Sequence, residues 1–347
     1  MGLSIPNCCS SRNDNDINNQ VTFNNGNIVT TQENLISLKD DKINLFSNIN
    51  IDKNNIEQIT QNFENLVKFN GEFIKDKTIE EILEETNPLS NKISLPENIE
   101  KYQEPNCFLS PIIKFNNGEI YKGYWNINNQ RHGYGINISP EGNIYKGLWK
   151  EDKIDNYGLI MDLEGNYYKG ELKEGKFEGK GEIFVKDKSK YIGTFMDDYP
   201  NGNGILENYE NSTKYNGDIL NGKKDGKGIL EYEDGTIYEG DFKNDVYEGT
   251  GVLKFPNGNK YEGEFHDGKI KGKGKYIWEN GEIYEREYEY EDFMKKGFGK
   301  YFWSEDKYYE GQWLNNKKHG KGRIHFEGKE INGTFRFGKI IKENKVE

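Results

Sequence analysis

From about Leu109 to the C-terminus, apolar and polar positions alternate with a period of two, and the alternation itself recurs. In Tyr261-Glu262-Gly263-Glu264-Phe265, residues Tyr261, Gly263 and Phe265 fall on one side of an extended chain and Glu262 and Glu264 on the other. Tyr238, Gly240 and Phe242 separate from Glu239 and Asp241 in the same way, and Tyr121, Gly123 and Trp125 repeat the pattern. A second alternating segment follows, as in Gly249, Gly251, Leu253 and Phe255 or Gly272, Gly274, Tyr276 and Trp278. Alternation with aromatic enrichment predicts strands. Asn117-Gly118, Glu141-Gly142, Glu164-Gly165, Asp234-Gly235, Asn257-Gly258 and Asn280-Gly281 stand between the segments, and such pairs tolerate the positive φ of tight hairpin turns. Each unit reads as a β-hairpin turned into the next, which predicts an antiparallel meander.

The lead residues are Tyr121, Tyr145, Tyr168, Tyr191, Tyr215, Tyr238, Tyr261, Tyr284, Tyr309 and Ile331, at steps of mostly 23 or 24 residues. A fixed period of this size means a repeat architecture. Glycine inside a strand weakens it and needs a reason. The expectation is that it leaves bare backbone on the inner face, over which a ring from a neighbouring strand lies flat.

The pattern Tyr-x-Gly-x-Trp/Phe, about eight residues, Gly-x-Gly, then Asp/Asn-Gly resembles the MORN repeat over roughly residues 108–340. Its defining residues include Tyr121, Gly123, Trp125, Tyr145, Gly147, Trp149, Tyr238, Gly240, Phe242, Tyr261, Gly263, Phe265, Tyr309, Gly311 and Trp313. The resemblance implies an all-β fold, an elongated single-layer antiparallel meander of about ten hairpins, and membrane-associated or cytoskeletal organisation. With two strands per unit, ten units are expected to extend roughly 90–100 Å. Departures fall at Asn156-Tyr157-Gly158, at Leu172 and Ile219, at Arg286 in place of Gly, and at the last unit, which begins with Ile331.

Upstream, the pattern changes. Ile56, Ile59, Phe63, Leu66 and Val67 have helical spacing, and Thr78 with Glu81 forms a capping box for a short helix ending near Asn87, before Pro88. These helices dock on the first repeats, bind a partner or stay partly disordered; residues 88–105 read as a linker. Leu109, Pro111, Ile113 and Phe115 sit in the phase of a second strand, so a half-unit is expected to start the sheet with Pro111 blunting its edge. The organisation expected is a disordered tail over 1–30, an Asn-rich acidic segment with short helices over 31–105, and the repeat domain over 106–347. The tail opens Met1-Gly2-Leu3-Ser4-Ile5-Pro6-Asn7-Cys8-Cys9. Gly2, Cys8 and Cys9 resemble a dual-acylation signal, although Pro6 stands where Ser or Thr is wanted. Arg12 is the one cation before Lys39, so the second anchoring signal would be the cysteines.

Composition narrows the function. Of 40 Gly, only Gly2, Gly26 and Gly71 precede residue 106, and all five Trp follow it. The hydrophobic fraction is 33% and the charged fraction 31%, which suits a sheet with one aromatic face and one wet face. The net charge of −12 argues against nucleic acid. Lys122, Lys146, Lys169, Glu239 and Glu262 interleave on the wet face as expected cross-strand pairs. His132 and His319 each precede Gly-x-Gly and belong to the repeat, and neither a metal motif nor a phosphate-binding glycine loop is present. No cofactor, metal, catalytic residue or small-molecule substrate is expected. The expectation is a non-catalytic scaffold, cytoplasmic and peripheral to a membrane, cell cortex or cytoskeleton. It would offer a shallow groove of Tyr and Trp to an extended peptide or to another ribbon of the same kind. The alternatives are an anionic phospholipid-binding module and a ciliary, axonemal part.

Overall fold

The computed structural model describes residues 53–344, except Gln103 and 289–293. Gly2, Cys8 and Cys9 lie outside the described residues. The chain begins with α1 (Lys53–Asn70), β1 (Gly71–Ile74), α2 (Ile79–Thr86), a 3₁₀ turn (Pro88–Asn91) and α3 (Glu97–Glu100). Both arms of the capping box are present, with Thr78 Oγ1 accepting from Glu81 N and Glu81 Oε2 accepting from Thr78 N. Strands β2 (Cys107–Leu109) and β3 (Ile112–Phe115) both pair with β4 (Ile120–Asn126). From there the strands run as an antiparallel meander to β23 (Lys339–Asn344). The contacts divide the chain into two units, one up to Gly202 and one from Asn203.

The ladder register brings the glycines together. In the first unit Gly123, Gly135, Gly147, Gly158, Gly170, Gly181 and Gly193 stand opposite one another across successive strands. In the second unit the row runs from Gly217 through Gly228, Gly240, Gly251 and Gly263 to Gly274. It is broken by Arg286 and resumes at Gly299. The ring that covers each pair is the tyrosine two residues before the first glycine, so it lies over a glycine of its own strand and, as the sequence suggested, over one of the neighbouring strand. A Cβ at Gly240 would lie 2.7 Å from Tyr238 Oη and 2.6 Å from Gly251 Cα.

Among the described residues, seven of the lead strands also carry a bulge just after the glycine, for example between Gly240 and Phe242. The bulge takes one residue out of the ladder and frees its carbonyl. The tyrosine hydroxyl donates to that carbonyl: Tyr238 Oη to Asp241 O at 2.9 Å, Tyr145 to Leu148 O at 2.6 Å, Tyr309 to Gln312 O at 3.0 Å. The bulge side chain turns to the backbone of the next strand. Asp241 Oδ2 accepts from Thr250 N at 3.1 Å, and Glu264 Oε2 accepts from Lys273 N at 3.2 Å. Glu264 is therefore a structural acceptor rather than a free member of the wet face.

Two kinds of turn alternate. In the Asn-Gly turns between hairpins only the glycine has positive φ, as at Gly258 (79°), while Asn257 Oδ1 accepts from Asn259 N. Most turns inside hairpins take positive φ at two successive residues, such as Asn244 (47°) and Asp245 (73°), while the first takes it at Asn129 alone. Asp245 Oδ1 also accepts from Lys224 N, one hairpin back.

The segment before the sheet docks on both faces of the first unit. Phe63 of α1 meets Phe108 and Trp125 edge-on at 4.9 and 5.3 Å. Ile79, Ile82, Leu83, Leu95 and Ile99 cover Ile112, Ile138, Ile144, Leu148, Leu159 and Met161 on the opposite face. Docking is thus the observed alternative for the described helices, and residues 88–105 are not a free linker, because Leu95 and Ile99 are buried in that contact. Nor does Pro111 blunt an open edge: β1 pairs alongside β3, with Phe73 opposite Ile113. Ser110 takes a glycine's place, its Oγ accepting from Trp125 Nε1 at 3.1 Å.

Candidate functional site

The repeat tyrosines are the core. Tyr121, Tyr168, Tyr191, Tyr215, Tyr238, Tyr261, Tyr284 and Tyr309 are each at most 1% exposed. Tyr238 is enclosed by Phe242 at 5.1 Å and Phe265 at 5.0 Å, both edge-on, and by Tyr247 stacked at 3.6 Å. Trp125, Trp149, Phe242, Phe265 and Trp313 are buried in the same way. Burial pushes the hydroxyls of Tyr261 and Tyr309 up to about 12. The shallow groove of exposed repeat rings expected from the sequence is therefore not formed. Edge-to-face packing consumes the rings, which lets a single-layer sheet keep a dry interior.

The opposite face differs between the units. In the first it is covered by the helices, and Lys146, grouped by sequence with the wet-face lysines, is buried there. Its Nζ donates to Ser90 O at 2.6 Å, and burial lowers its pKa. In the second unit this face is open. A depression of about 840 Å³ lies over the glycine row, with walls that include Lys227, Ile229, Glu239, Thr250, Val252 and Glu262. A second depression of about 300 Å³ is lined by Phe298, Glu310, Lys321 and Arg323 among others. The charges pair across strands: Lys254 with Glu239 at 3.0 Å, Lys275 with Glu262 at 2.8 Å, Arg323 with Glu310 at 2.7 Å. The Lys260 and Lys275 ammoniums hold Glu262 below the usual carboxylate range.

Glu248, His266 and Asp267 place potential metal-ligand atoms within 4.8 Å of one another, a grouping not visible in sequence because 18 residues separate Glu248 from His266. Those atoms already serve the fold: His266 Nδ1 lies 2.8 Å from Glu248, which also accepts from Asp267 N. The same tie joins Lys243 and Asn244 to Asp225 one hairpin earlier. His132 and His319 share a repeat position but not surroundings: His132 Nε2 lies 3.9 Å from Glu104, whereas His319 meets Phe337 edge-on.

On the tyrosine face, a line of aromatic side chains lies beyond the buried rings: Phe255 and Trp278, which the alternation already placed on this face, and Tyr232, Trp303 and Phe326, which sequence reasoning did not single out. All five belong to the second unit. Each lies six residues past the first glycine of its Gly-x-Gly, a spacing that would have found them.

A family model for the MORN repeat matches residues 121–144, 168–183, 191–209, 215–237, 238–260, 261–283 and 309–328. The stretches it passes over begin at Tyr145, Tyr284 and Ile331, the units with Asn156, with Arg286 and without a lead tyrosine. No curated protein matches. Among solved structures, the chain is similar to the TCP10 domain of Danio rerio CPAP, solved with a peptide of Danio rerio STIL. The identity is 11%, the TM-score 0.36, and the match covers 68% of this chain and 98% of that one. It is also similar to the SAS-4 (dCPAP) TCP domain of Drosophila Melanogaster, with 15% identity, a TM-score of 0.28, and coverage of 52% of this chain and 86% of that one. The recurrent tyrosine, the glycine row beneath it and the seven matched segments agree: the chain belongs to the MORN-repeat proteins.

Proposed function

We propose that the protein is a non-catalytic scaffold held at a membrane, the cell cortex or the cytoskeleton, with its repeats holding partner proteins. The observation that carries this reading is how the repeat side chains are used. Tyrosines and glycines build the interior, and what they leave outside in the second unit is open sheet surface with paired charges rather than an enclosed cleft. Every shifted carboxylate among the described residues is shifted down, which keeps it an anion and unsuited to act as a general acid. Pairing of the lysines with acids also weakens the case for the repeats as a phospholipid surface.

The anchor would be acyl chains on Gly2 and on Cys8 and Cys9, since one chain alone holds a protein only marginally. The test is fractionation of the full-length protein in its own cells beside Gly2→Ala and Cys8→Ser/Cys9→Ser variants. The wild type is expected with membranes and the variants in the soluble fraction. Equal pelleting of all three would transfer the tethering to the repeats or their partners. Retention on detergent-extracted axonemes would favour the ciliary reading instead.

A further inference from the structure

We infer that the aromatic line on the tyrosine face of the second unit is a docking track for an acidic, proline-rich segment of a partner protein in the polyproline II conformation. The inference rests on the reading of the repeats as a protein-holding surface and names the kind of segment held. Tyr232, Phe255, Trp278, Trp303 and Phe326 recur in five successive hairpins, whereas the equivalent positions before them are Phe115 in the opening half-unit and then Ser139, Asp162, Val185 and Asn208. Unlike the core tyrosines they reach solvent: Tyr232 is 37% and Phe326 43% exposed, and Phe255, Trp278 and Trp303 are half-buried. They are continuous with the second-strand rings. Phe255 lies 6.1 Å from Tyr276, Tyr276 4.9 Å from Trp278, Trp278 5.3 Å from Tyr301, and Tyr301 5.1 Å from Trp303.

The repeat distance selects the occupant's backbone. Two strands per hairpin place successive aromatic stations about 9.5 Å apart. A polyproline II helix advances about 9.3 Å in its three-residue turn, so every third side chain meets the next station from the same side. A β-strand also covers that distance in three residues, but its side chains alternate, and successive stations would meet opposite faces. An α-helix needs about six residues for the same advance, which is not a whole number of turns. Aromatic-lined surfaces of this kind suit the preformed polyproline II backbone. Five stations correspond to about twelve residues of partner.

Charge selects the side chains. Lys295 Nζ lies 4.4 Å from the Trp278 ring and 4.1 Å from Tyr301; Lys318 and Lys307 lie 5.0 and 5.7 Å from Trp303, and Lys307 5.2 Å from Phe326. Among the described residues none of these three lysines makes an ion pair, in contrast to Lys227, Lys254 and Lys275. Burial, and then the charge of Lys307, lowers the pKa of Lys318. Burial also lowers the pKa of Lys295, and the Glu282 carboxylate only partly offsets it. Lys307 and Lys318, laid on rings with no ion-paired carboxylate among the described residues, are complementary to Asp and Glu of an incoming chain. Lys295 and Lys318 are recessed against the rings, which suits side chains reaching in from a peptide better than the plane of a membrane.

The test uses full-length protein and fluorescently labelled (Pro-Pro-Glu)5, read by anisotropy, beside (Gly-Gly-Glu)5, (Pro-Pro-Lys)5 and phosphatidylserine vesicles. The expected result is that (Pro-Pro-Glu)5 binds saturably and at least about ten-fold tighter than (Gly-Gly-Glu)5, with loss of about the same factor in Lys307→Gln/Lys318→Gln. Tyr232→Ala, at the exposed end of the track, serves as a second variant with little folding risk, and unchanged thermal midpoints exclude a folding defect. Equal binding of the two acidic peptides, binding unaffected by either variant, or no peptide binding overturns the track. Vesicle binding lost in the lysine variant, without peptide binding, assigns the surface to lipid. If the track fails while Lys307→Gln/Lys318→Gln still fractionates like wild type, the tethered-scaffold reading stands without it.

Discussion

At the scale of the residue, the protein depends on the absence of a side chain beneath a tyrosine. Tyr238 occupies the space a Cβ at Gly240 or Gly251 would fill, and its hydroxyl spends its hydrogen bond on the bulged Asp241 carbonyl. The tyrosine is therefore fixed at both ends of its ring. Gly240→Ala forces either the ring or the Gly251 backbone to move, and overpacking of this kind costs about 1–3 kcal/mol. Chemical unfolding of the variant is expected to show a lower midpoint with an unchanged slope. An unchanged midpoint would mean that the ring yields freely and is not a fixed part of the core.

At the scale of the element, the hairpins are alike in plan but differ in what lies on the face away from the tyrosines. The bulge residue carries the difference. It is Leu148 where α2 and α3 cover the sheet, and Asp218, Asp241, Glu264 or Gln312 further on. Leu148 joins the cluster under the helices, whereas Asp218, Asp241, Glu264 and Gln312 each accept from a backbone N–H of the next strand. Ile82, 6% exposed, anchors α2 in that cluster. Ile82→Ala is expected to cost about 2–4 kcal/mol within the first unit. Because repeats contact mainly their neighbours, the loss should stay local. Hydrogen exchange should quicken in α2 and in the strands beneath it while amides from Asn203 onward keep their protection. Uniform quickening along the chain would show that the units unfold as one.

At the scale of the molecule, acid stability is set by two opposed effects. Protonating carboxylates relieves the repulsion implied by a net charge of −12, which favours the folded chain. It also breaks ties within and between hairpins. The His266 hydrogen bond lowers Glu248, and the Lys260 and Lys275 hydrogen bonds lower Glu262. Burial raises Asp241, but Lys227 and the Thr250 N–H outweigh it and leave Asp241 lowered. A carboxylate with a depressed folded pKa contributes stability that is present above its unfolded pKa and lost as the pH falls through the folded one. These ties recur along the repeats, so their loss should dominate. The thermal midpoint is expected to be flat from neutral pH down to about 5 and to fall as the pH drops below about 4.5. A midpoint that rises on acidification would mean that charge repulsion is the larger effect.

The repeat period, the strands, the Asn-Gly turns and the capping box at Thr78 were determined locally, by side-chain alternation and turn chemistry, and are legible without the fold. Tertiary structure decided where the rings went. Period-two alternation assigns Tyr261 and Phe265 to one face but does not say whether that face is open. Only the register, which sets Gly263 opposite Gly274, shows that each tyrosine lies down over a pair of glycines on its own and the next strand and is sealed by rings, as Tyr238 is by Phe242 of its own strand and by Tyr247 and Phe265 of others. The buried Lys146 and the Asp245 clasp were hidden for the same reason, since their partners Ser90 and Lys224 stand 56 and 21 residues away. The alternation within one strand states which side chains are neighbours along the chain; the folded sheet, by pairing strands, states which of them remain available to anything else.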